Sequence, residues 1–261
     1  MLETIDKNLV TFIGAGPGDP ELVTRKGWQR LGEADVVLFD ALLDLDGFKK
    51  AAPCARWVNV GKRVGQISTA QSFISKSIVN LALRGYRIVR LKGGDPAVFG
   101  RMTEEMDACK AANLKYEIIP GVTAASSCAA ELGISLTQRE VSRSVTFLTP
   151  RTSKRNFSSD HWVSSALSSD TVVLYMAGIE LPTIAQTLIS RGKDPKTPVA
   201  LVESASLRSK KYVTTLQRCT KELQHGDGGP ITVLMGEVVR SAHEPCELFE
   251  TPVVIQKARL K

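Results

Sequence analysis

The sequence predicts an α/β protein with two domains. Short apolar runs alternate with segments of helical periodicity, two of the runs end in glycine-rich turns, and a second alternating series begins after Arg139. A chain of 261 residues is long enough to build two modest cores. We expect an N-terminal α/β domain over 1–120, a connecting helix and linker over 121–142, a C-terminal α/β domain over 143–240 and a tail over 241–261.

Apolar patterns define the elements of the first half. The predicted strands cover residues 9–13, 36–39, 88–91 and 117–119. A helix before the third strand is expected to have Ser68 as its cap and to end at Arg84-Gly85. Its predicted apolar face consists of Phe73, Ile74, Ile78 and Leu81. The small residues of 123–130 predict a helix that packs closely and ends at Gly133.

The second half shows the same alternation. Its predicted elements are a helix over 181–190 and strands over 145–148, 171–176, 199–202, 212–215 and 231–235. The segment 151–170 is rich in serine and charged residues, and this composition predicts a mobile loop.

The composition is that of an ordinary soluble globular protein, with 43% hydrophobic and 23% charged residues. No apolar run approaches the roughly 18 residues that a membrane span requires, and the N-terminus lacks the pattern of a signal peptide. We therefore expect a cytoplasmic protein with no membrane partner. The 5 cysteines are scattered and indicate reduced thiols, and neither they nor the 3 histidines have the spacing of a metal site.

The charge balance favours an anionic partner. Lys and Arg number 34 against 27 Asp and Glu, a formal net charge of +7. A nucleic-acid surface would require clustered basic residues with aromatics among them, whereas the basic clusters here are short and aromatics make up 6%. A small polyanionic substrate, bound by individual arginines, is the better interpretation.

The first glycine-rich turn runs from Gly14 to Pro20. It departs from the dinucleotide-binding fingerprint because Asp19 stands where the third glycine is needed, and Pro17 lacks an N–H donor. Asp19 and Pro20 are instead expected to be the cap and the first residue of a helix. The pair Gly61-Lys62 lacks the flanking residues of a phosphate-binding loop.

The second turn, Gly93-Gly94-Asp95-Pro96, follows the strand over 88–91 and precedes a helical pattern. Glycines let a ligand approach the backbone closely, and a carboxylate at the carboxyl end of a strand is where open α/β sheets contact ligands. One such turn is an ordinary strand–helix connection. Two of them, together with the matching segments below, indicate a ligand site.

Six segments, in this order and spacing, resemble the tetrapyrrole methylase family. They are 14–20, Asp40-Ala41-Leu42, Gly61-Lys62-Arg63, 90–105, 120–126 and Leu136-Thr137-Gln138-Arg139. The match runs from about Val10 to Val239. The strings Arg-Leu-Lys-Gly-Gly-Asp-Pro and Pro-Gly-Val-Thr-Ala-Ala-Ser are typical of the branch that methylates uroporphyrinogen III.

The resemblance implies a homodimer whose subunits have two α/β domains of the class III methyltransferase type, with S-adenosylmethionine in the cleft between the domains. The implied reaction methylates uroporphyrinogen III at C2 and then C7, giving precorrin-2 by way of precorrin-1 and releasing S-adenosylhomocysteine. The product can enter sirohaem, cobalamin or haem d1 synthesis, and the sequence leaves that choice open. No precorrin-2 dehydrogenase segment is recognised, so the dehydrogenation of precorrin-2 is expected to be carried out by another protein.

Individual roles are also implied by the resemblance. The cofactor is expected to contact Pro17, Gly93, Gly94, Asp95, Val98, Thr123, Ala124, Met176 and Ala205. Acid–base roles are expected for Asp40 and Lys62, and Arg101 and Glu104 match residues at the substrate, with Glu104 a candidate base. Arg139 is expected to clamp a substrate carboxylate.

The physical chemistry agrees with these roles. Uroporphyrinogen III carries eight carboxylates, and the forked guanidinium groups of Arg63, Arg101 and Arg139 can bind carboxylates bidentately. Methyl transfer from a sulfonium needs no metal, because the leaving group is a neutral thioether. Gly94→Val is expected to exclude the cofactor sterically from a folded protein. Two departures from the family pattern, Met102-Thr103 in place of two glycines and Gln138 in place of histidine, fall near the substrate residues.

Two other functions remain open. One is a sister methylase of the same fold that acts on a later precorrin or on ribosomal RNA. The other is a non-catalytic anion-binding protein. The segments at 61–63 and 136–139 favour the uroporphyrinogen enzyme, and an intact donor turn argues against binding alone.

Overall fold

A computed structural model describes residues 9–40, 43–61, 71–150, 161–221 and 229–242 of the chain. The chain divides into two compact units, 1–123 and 124–261. Each unit contains one five-stranded β-sheet and several helices, which confirms the predicted α/β class. None of the helices within the described ranges is long and apolar enough to cross a membrane.

The first unit is built on a parallel sheet. Its strands are β1 (Val10–Gly14), β2 (Val36–Phe39), β3 (Arg56–Asn59), β4 (Ile88–Lys92) and β5 (Tyr116–Ile119). Its helices are α1 (Arg25–Gly32), α2 (Leu45–Lys49), α3 (Gln71–Leu83) and α4 (Met102–Ala111). The strands lie in the order β3-β2-β4-β1-β5, and every neighbouring pair is parallel.

Apolar side chains cover both faces of this sheet. Phe12 and Leu38 belong to one buried cluster, while Ile13 and Val37, their neighbours along the strands, belong to another. Both faces of the sheet are packed, so we expect a ligand to bind at the carboxyl ends of the strands, as in other parallel α/β sheets.

The second unit contains a mixed sheet. Its strands are β6 (Val145–Leu148), β7 (Thr171–Tyr175), β8 (Pro198–Glu203), β9 (Lys210–Thr215) and β10 (Ile231–Met235). They lie in the order β6-β7-β10-β8-β9, in which β6 and β7 are parallel and the other pairs are antiparallel. The helices of this unit are α5 (Ala124–Leu132), α6 (His161–Ser168) and α7 (Leu181–Ser190).

The predicted strands agree with the observed ones to within two residues at each end. The predicted loop over 151–170 is wrong for 161–168, which form α6, and residues 151–160 lie outside the described part. Only Val163 and Ala166 are buried in this serine-containing helix, so its apolar pattern was too weak to predict it.

Two helix predictions are also corrected. Phe73 is 62% exposed, because the buried stripe of α3 runs through Ile74, Ile78 and Ala82 instead. Ser68, its expected cap, lies outside the described residues. The Asp19 carboxylate does accept a hydrogen bond from the Glu21 N–H at 2.9 Å, but it caps a short 3₁₀ helix, Pro20–Leu22, whereas α1 begins later at Arg25.

Candidate active site

Three backbone segments meet at the carboxyl ends of β1, β4 and β5. The Ala15 N–H donates to the Lys92 carbonyl at 2.8 Å, and Gly16 and Gly94 exchange two backbone hydrogen bonds of 3.2 and 2.6 Å. A Cβ added at Gly121 would lie 2.4 Å from the Gly94 carbonyl oxygen and 2.7 Å from the Gly14 Cα. Glycine is therefore required where these segments cross.

The turn after β4 presents an open backbone surface. Gly93 is exposed, and a Cβ built at either Gly93 or Gly94 would have no heavy atom within 4 Å. Gly94 has a φ of +69°, in the left-handed region that glycine occupies without strain. The turn is therefore supported from below by the packed crossing and is open above. A ligand can approach its backbone from the open side.

Asp95 fastens this turn to the neighbouring segments. Its Oδ1 accepts a hydrogen bond from the Ala97 N–H at 2.7 Å, and its Oδ2 accepts one from the Gly121 N–H at 3.0 Å. The carboxylate thus has a structural task in addition to the cofactor contact predicted for it. Pro17 and Val98, also predicted cofactor residues, are both partly exposed on adjacent turns.

Asp40 lies directly beyond the end of β2. Its Oδ1 accepts a hydrogen bond from Arg90 Nη2 at 2.5 Å, and its Oδ2 lies 3.4 Å from the Gly93 N–H. The Asp40 side chain is 32% exposed, whereas that of Arg90 is 3% exposed. The structure therefore brings one predicted acid–base residue to the predicted cofactor turn.

A buried charge cluster lies beneath Asp40. Arg90 and Lys92 lie two residues apart on β4, and both contact Glu105, a wholly buried residue of α4. Glu105 Oε1 accepts hydrogen bonds from Arg90 Nε at 3.2 Å, Lys92 Nζ at 3.1 Å and Gln71 Nε2 at 2.9 Å. Together with Asp40, two cations face two carboxylates.

Burial and the neighbouring charges together lower the pKa of Lys92 and raise that of Arg90. Burial and the neighbouring Arg90 charge lower the pKa of Lys92 even though Glu105 opposes the shift. Burial also acts against the Arg90 charge, but the carboxylates of Asp40 and Glu105 outweigh it, and the pKa of Arg90 is raised. Arg90 is therefore a fixed positive charge behind Asp40.

Arg101 and Glu104 form an exposed, bidentate ion pair. Arg101 Nε and Nη2 each donate to a Glu104 carboxylate oxygen at 2.9 Å, and both side chains are about half exposed. Arg101 precedes α4 with a φ of +52°, a conformation that costs free energy in a non-glycine residue. The departure at Met102 has little effect on this surface, because Met102 packs against the core of the first unit while Thr103 is exposed.

The predicted cofactor residues Thr123 and Ala124 stand at the start of α5. Thr123 directly precedes the helix, and Ala124 is its first residue. The next N–H, that of Ala125, donates to the Tyr175 hydroxyl at 3.2 Å.

Met176 and Ala205 follow the ends of β7 and β8. Met176 has a φ of +56° and is 50% exposed. Ala205 is 8% exposed and lies between Ser204 and Ser206, which both have positive φ. Glu131 of α5 accepts a hydrogen bond from the Ser206 N–H at 3.1 Å, which holds this strained loop.

Arg139 lies on an open cavity of about 440 Å³ within the second unit. The cavity is lined by Thr137, Gln138, Arg139, Glu140, Ser142 and Arg143. A second arginine therefore accompanies the predicted carboxylate clamp. The remaining predicted residues, Lys62 and Arg63, lie outside the described part of the chain.

No role was predicted from the sequence for Arg90, Lys92 or Glu105. The available signal was the composition of β4, in which two charged residues alternate with apolar ones in a strand that is buried throughout. Buried charges require partners, so this pattern predicts an opposing carboxylate, although it does not identify Glu105 as that partner.

Residues 9–219 match the family described as Tetrapyrrole (Corrin/Porphyrin) Methylases, and the chain belongs to this family. Among curated relatives, the siroheme synthase of Psychromonas ingrahamii is 38% identical over 240 residues, which are 92% of this chain and 51% of that protein. The siroheme synthase of Psychrobacter cryohalolentis is 39% identical over 237 residues, covering 90% of this chain and 45% of the relative. The chain thus spans about half the length of these relatives.

Solved structures of similar fold include two methyltransferases. Uroporphyrin III C-methyl transferase from Thermus thermophilus is 31% identical with a TM-score of 0.76, covering 94% of this chain and 97% of that one. The same Thermus enzyme complexed with S-adenyl homocysteine has a TM-score of 0.74 at 32% identity, covering 88% and 98% of the two chains. Cobalt precorrin-4 methyltransferase also has a TM-score of 0.76, at 25% identity and with coverage of 89% and 96%.

Proposed function

We propose that this protein transfers methyl groups from S-adenosylmethionine to C2 and then C7 of uroporphyrinogen III, giving precorrin-2 by way of precorrin-1. The observation that carries the proposal is the open Gly93-Gly94 turn beside the ion-paired Asp40, in a chain 31% identical to a uroporphyrin III C-methyl transferase. The turn provides a surface for the methyl donor, and Asp40 provides a carboxylate next to it.

The residues present fit S-adenosylmethionine. A glycine turn with open space above it can offer backbone groups to the polar parts of the molecule, where any side chain would intrude. We assign its contacts to Pro17, Gly93, Gly94, Asp95, Val98, Thr123, Ala124, Met176 and Ala205. When bound, S-adenosylmethionine supplies an electrophilic methyl group on a good leaving group.

The chain's own residues would bind the macrocycle and move a proton. Arg63, Arg101 and Arg139 are assigned to substrate carboxylates, and Arg143 can add a further contact because it lines the same cavity as Arg139. One proton must leave the macrocycle after each methyl transfer, and Asp40, Lys62 and Glu104 are the groups assigned to acid–base help. Such help typically contributes about 10²–10⁴-fold in rate.

A methylase of a later precorrin is the second candidate. It is favoured by the similarity to cobalt precorrin-4 methyltransferase, whose TM-score equals that of the Thermus enzyme although its sequence identity is lower. The same donor turn would serve both reactions, so the acceptor alone distinguishes them.

The deciding experiment is anaerobic incubation with S-adenosylmethionine carrying a labelled methyl group and, separately, uroporphyrinogen III or cobalt-precorrin-4. We expect two labelled methyl groups per uroporphyrinogen III, at C2 and C7 by NMR, and none on the later precorrin. Label on cobalt-precorrin-4 alone would reverse the assignment. Binding of both ligands without transfer would indicate a non-catalytic protein.

The carboxylate clamp is tested by titrating uroporphyrinogen III and S-adenosylhomocysteine into Arg101→Lys and Arg139→Lys. Lysine keeps the charge but loses the planar fork, so tetrapyrrole affinity should fall by about tenfold to a hundredfold, the equivalent of roughly 1.5–3 kcal/mol. Affinity for S-adenosylhomocysteine should stay near the wild-type value. If both variants bind the tetrapyrrole as the wild type does, the clamp lies elsewhere.

A further inference from the structure

The ion pair between Arg90 and Asp40 links a wholly interior part of the first unit to the donor turn. Arg90 donates from Nε to Glu105, from Nη1 to the Leu38 and Leu91 carbonyls at 3.3 and 3.0 Å, and from Nη2 to Asp40. Its guanidinium group is thereby fixed in position and in plane. A cation held on this many sides can orient its one partly exposed partner.

Asp40 is that partner. It follows the last residue of β2 and is the most exposed member of the cluster, while Arg90, Lys92 and Glu105 are each 3% exposed or less. One carboxylate oxygen contacts Arg90, and the other contacts the Gly93 N–H of the turn. Without Arg90, the Asp40 carboxylate would keep, among its hydrogen bonds within the described part of the chain, the longer one from the Gly93 N–H.

The cluster also pairs two cationic side chains with two carboxylates. Arg90 and Lys92 contribute two positive charges, Glu105 contributes one negative charge, and the carboxylate of Asp40 supplies the second. Burying a cation without a partner is costly, so Asp40 provides a counter-charge for the buried cations of the first unit.

We propose that Arg90 is a positioning residue that holds the Asp40 carboxylate in a fixed orientation beside the Gly93-Gly94 turn. The proposal rests on the proposed function, in which Asp40 provides acid–base help. Arg90 has no role in binding the substrate or the methyl donor, and it acts through Asp40.

The test compares turnover and S-adenosylhomocysteine affinity of the full chain in Arg90→Lys, Asp40→Asn and the double variant. Lysine keeps the buried charge opposite Glu105 but has no fork with which to reach Asp40 as well. Turnover of Arg90→Lys should fall by about 10²-fold, as for a catalytic group displaced by about 1 Å, with little change in S-adenosylhomocysteine affinity. The double variant should be no slower than Asp40→Asn alone, because Arg90 acts only through Asp40.

Arg87→Lys provides a control in the same two strands, at a more exposed arginine. Arg87 pairs bidentately with Asp35 at 2.6 and 3.1 Å, and this pair joins β4 to β2 at their amino ends as Arg90 and Asp40 do at the carboxyl ends. Turnover of Arg87→Lys should equal that of the wild type. Equal losses of turnover in Arg87→Lys and Arg90→Lys would show that the effect is general destabilisation, and this would overturn the proposal.

Asp40→Glu gives a test that does not disturb the interior, since Asp40 is partly exposed. It keeps the charge and moves the carboxylate by one methylene group, so turnover should fall nearly as far as in Asp40→Asn. Wild-type turnover in Asp40→Glu would overturn the positioning role even if Arg90→Lys fails to fold. Wild-type turnover in Asp40→Asn would remove the role of Asp40 and this inference with it.

A crystal structure of Arg90→Lys separates this inference from the proposed function, because it requires no substrate. The Asp40 carboxylate should have left its place beside Gly93. An Asp40 that stays there overturns the inference, whichever acceptor the protein methylates. Inactivity of the wild type towards uroporphyrinogen III, with Asp40 displaced in the variant, would overturn the proposed function alone.

Discussion

Gly93 and Gly94 are adjacent, but a side chain would affect the protein differently at each position. Gly94 has a φ of +69°, whereas Gly93 has a negative φ, and both face open space. Gly94→Val is still expected to exclude the cofactor, but it would also strain the backbone, since a β-branched residue at positive φ is itself unfavourable. Gly93 is the position at which a side chain can be added without that strain.

Alanine substitutions at three glycines separate strain from cofactor exclusion. Gly94→Ala and Gly192→Ala both place a Cβ in open space at positive φ, +69° and +99°, so each should cost about 1–2 kcal/mol of stability. Gly93→Ala should leave stability nearly unchanged. Calorimetry should show weaker S-adenosylhomocysteine binding for Gly93→Ala and Gly94→Ala and wild-type binding for Gly192→Ala. Equal affinity in all three variants would place the cofactor away from this turn.

Glu104 has a close structural counterpart elsewhere in the chain. Glu104 and Arg101 form an exposed bidentate pair three residues apart, and Glu237 and Arg240 form another, with Arg240 Nε 2.6 Å from Glu237. Exposed pairs of this kind contribute little to stability. We expect Glu104→Gln to lower turnover more than cofactor affinity, and Glu237→Gln to change neither. Wild-type turnover in Glu104→Gln would leave that carboxylate without an essential role.

At the scale of elements, the crossing of the turns after β1, β4 and β5 depends on glycine more strictly than the open turn does. In Gly121→Ala the added Cβ would meet backbone atoms at 2.4 and 2.7 Å, and backbone cannot move aside cheaply. We expect a loss of stability larger than that of Gly94→Ala, together with weaker cofactor binding. Thermal unfolding of the two variants side by side checks the order, and an unchanged midpoint for Gly121→Ala would show that the crossing can relax.

The sequence predicted elements well where burial alone decides the pattern. The strands β2, β7, β8 and β10 are mostly apolar runs that are buried almost throughout, so their existence and approximate bounds could be predicted from hydrophobicity. Helix α6 and strand β3 were not predicted, because α6 buries only two residues and β3 none. A weakly buried element has an equally weak apolar pattern.

The candidate site was predictable only in part, for a related reason. Residues of a turn, such as Gly93 and Asp95, are local in sequence, and their chemistry can be recognised there. The contact of Arg90 with Asp40 spans 50 residues, and its contact with Glu105 spans 15. Partners so far apart come together only through the order of strands in the sheet, and local sequence patterns do not determine that order.

At the scale of the whole molecule, we predict a homodimer on the basis of family resemblance. Light scattering should give twice the chain mass of 28.3 kDa at concentrations where the protein is active. A mass of one chain under those conditions would contradict the prediction.

The net charge of +7 bears on how the protein meets its substrate. A polycarboxylate approaching a cationic protein is attracted over a distance that salt shortens to about 10 Å at 0.1 M ionic strength. We expect the affinity for uroporphyrinogen III to fall as salt rises, while the affinity for S-adenosylhomocysteine, whose charges nearly cancel, changes little. Titration of both ligands across a series of salt concentrations checks this.

Charge in general and a specific clamp can be separated within the same series. Arg139→Gln and Arg218→Gln each remove one positive charge from an exposed site of the second unit, so their effects on the overall field are alike. Of these two arginines, Arg139 lines the cavity with Arg143 and Arg218 does not. Arg139→Gln should therefore weaken tetrapyrrole binding at every salt concentration and reduce its salt dependence. Arg139→Lys should bind weakly too but keep the wild-type salt dependence, because it retains the charge and loses only the fork. If Arg139→Gln and Arg218→Gln behave alike, binding depends on the field of the whole protein and Arg139 is not a clamp.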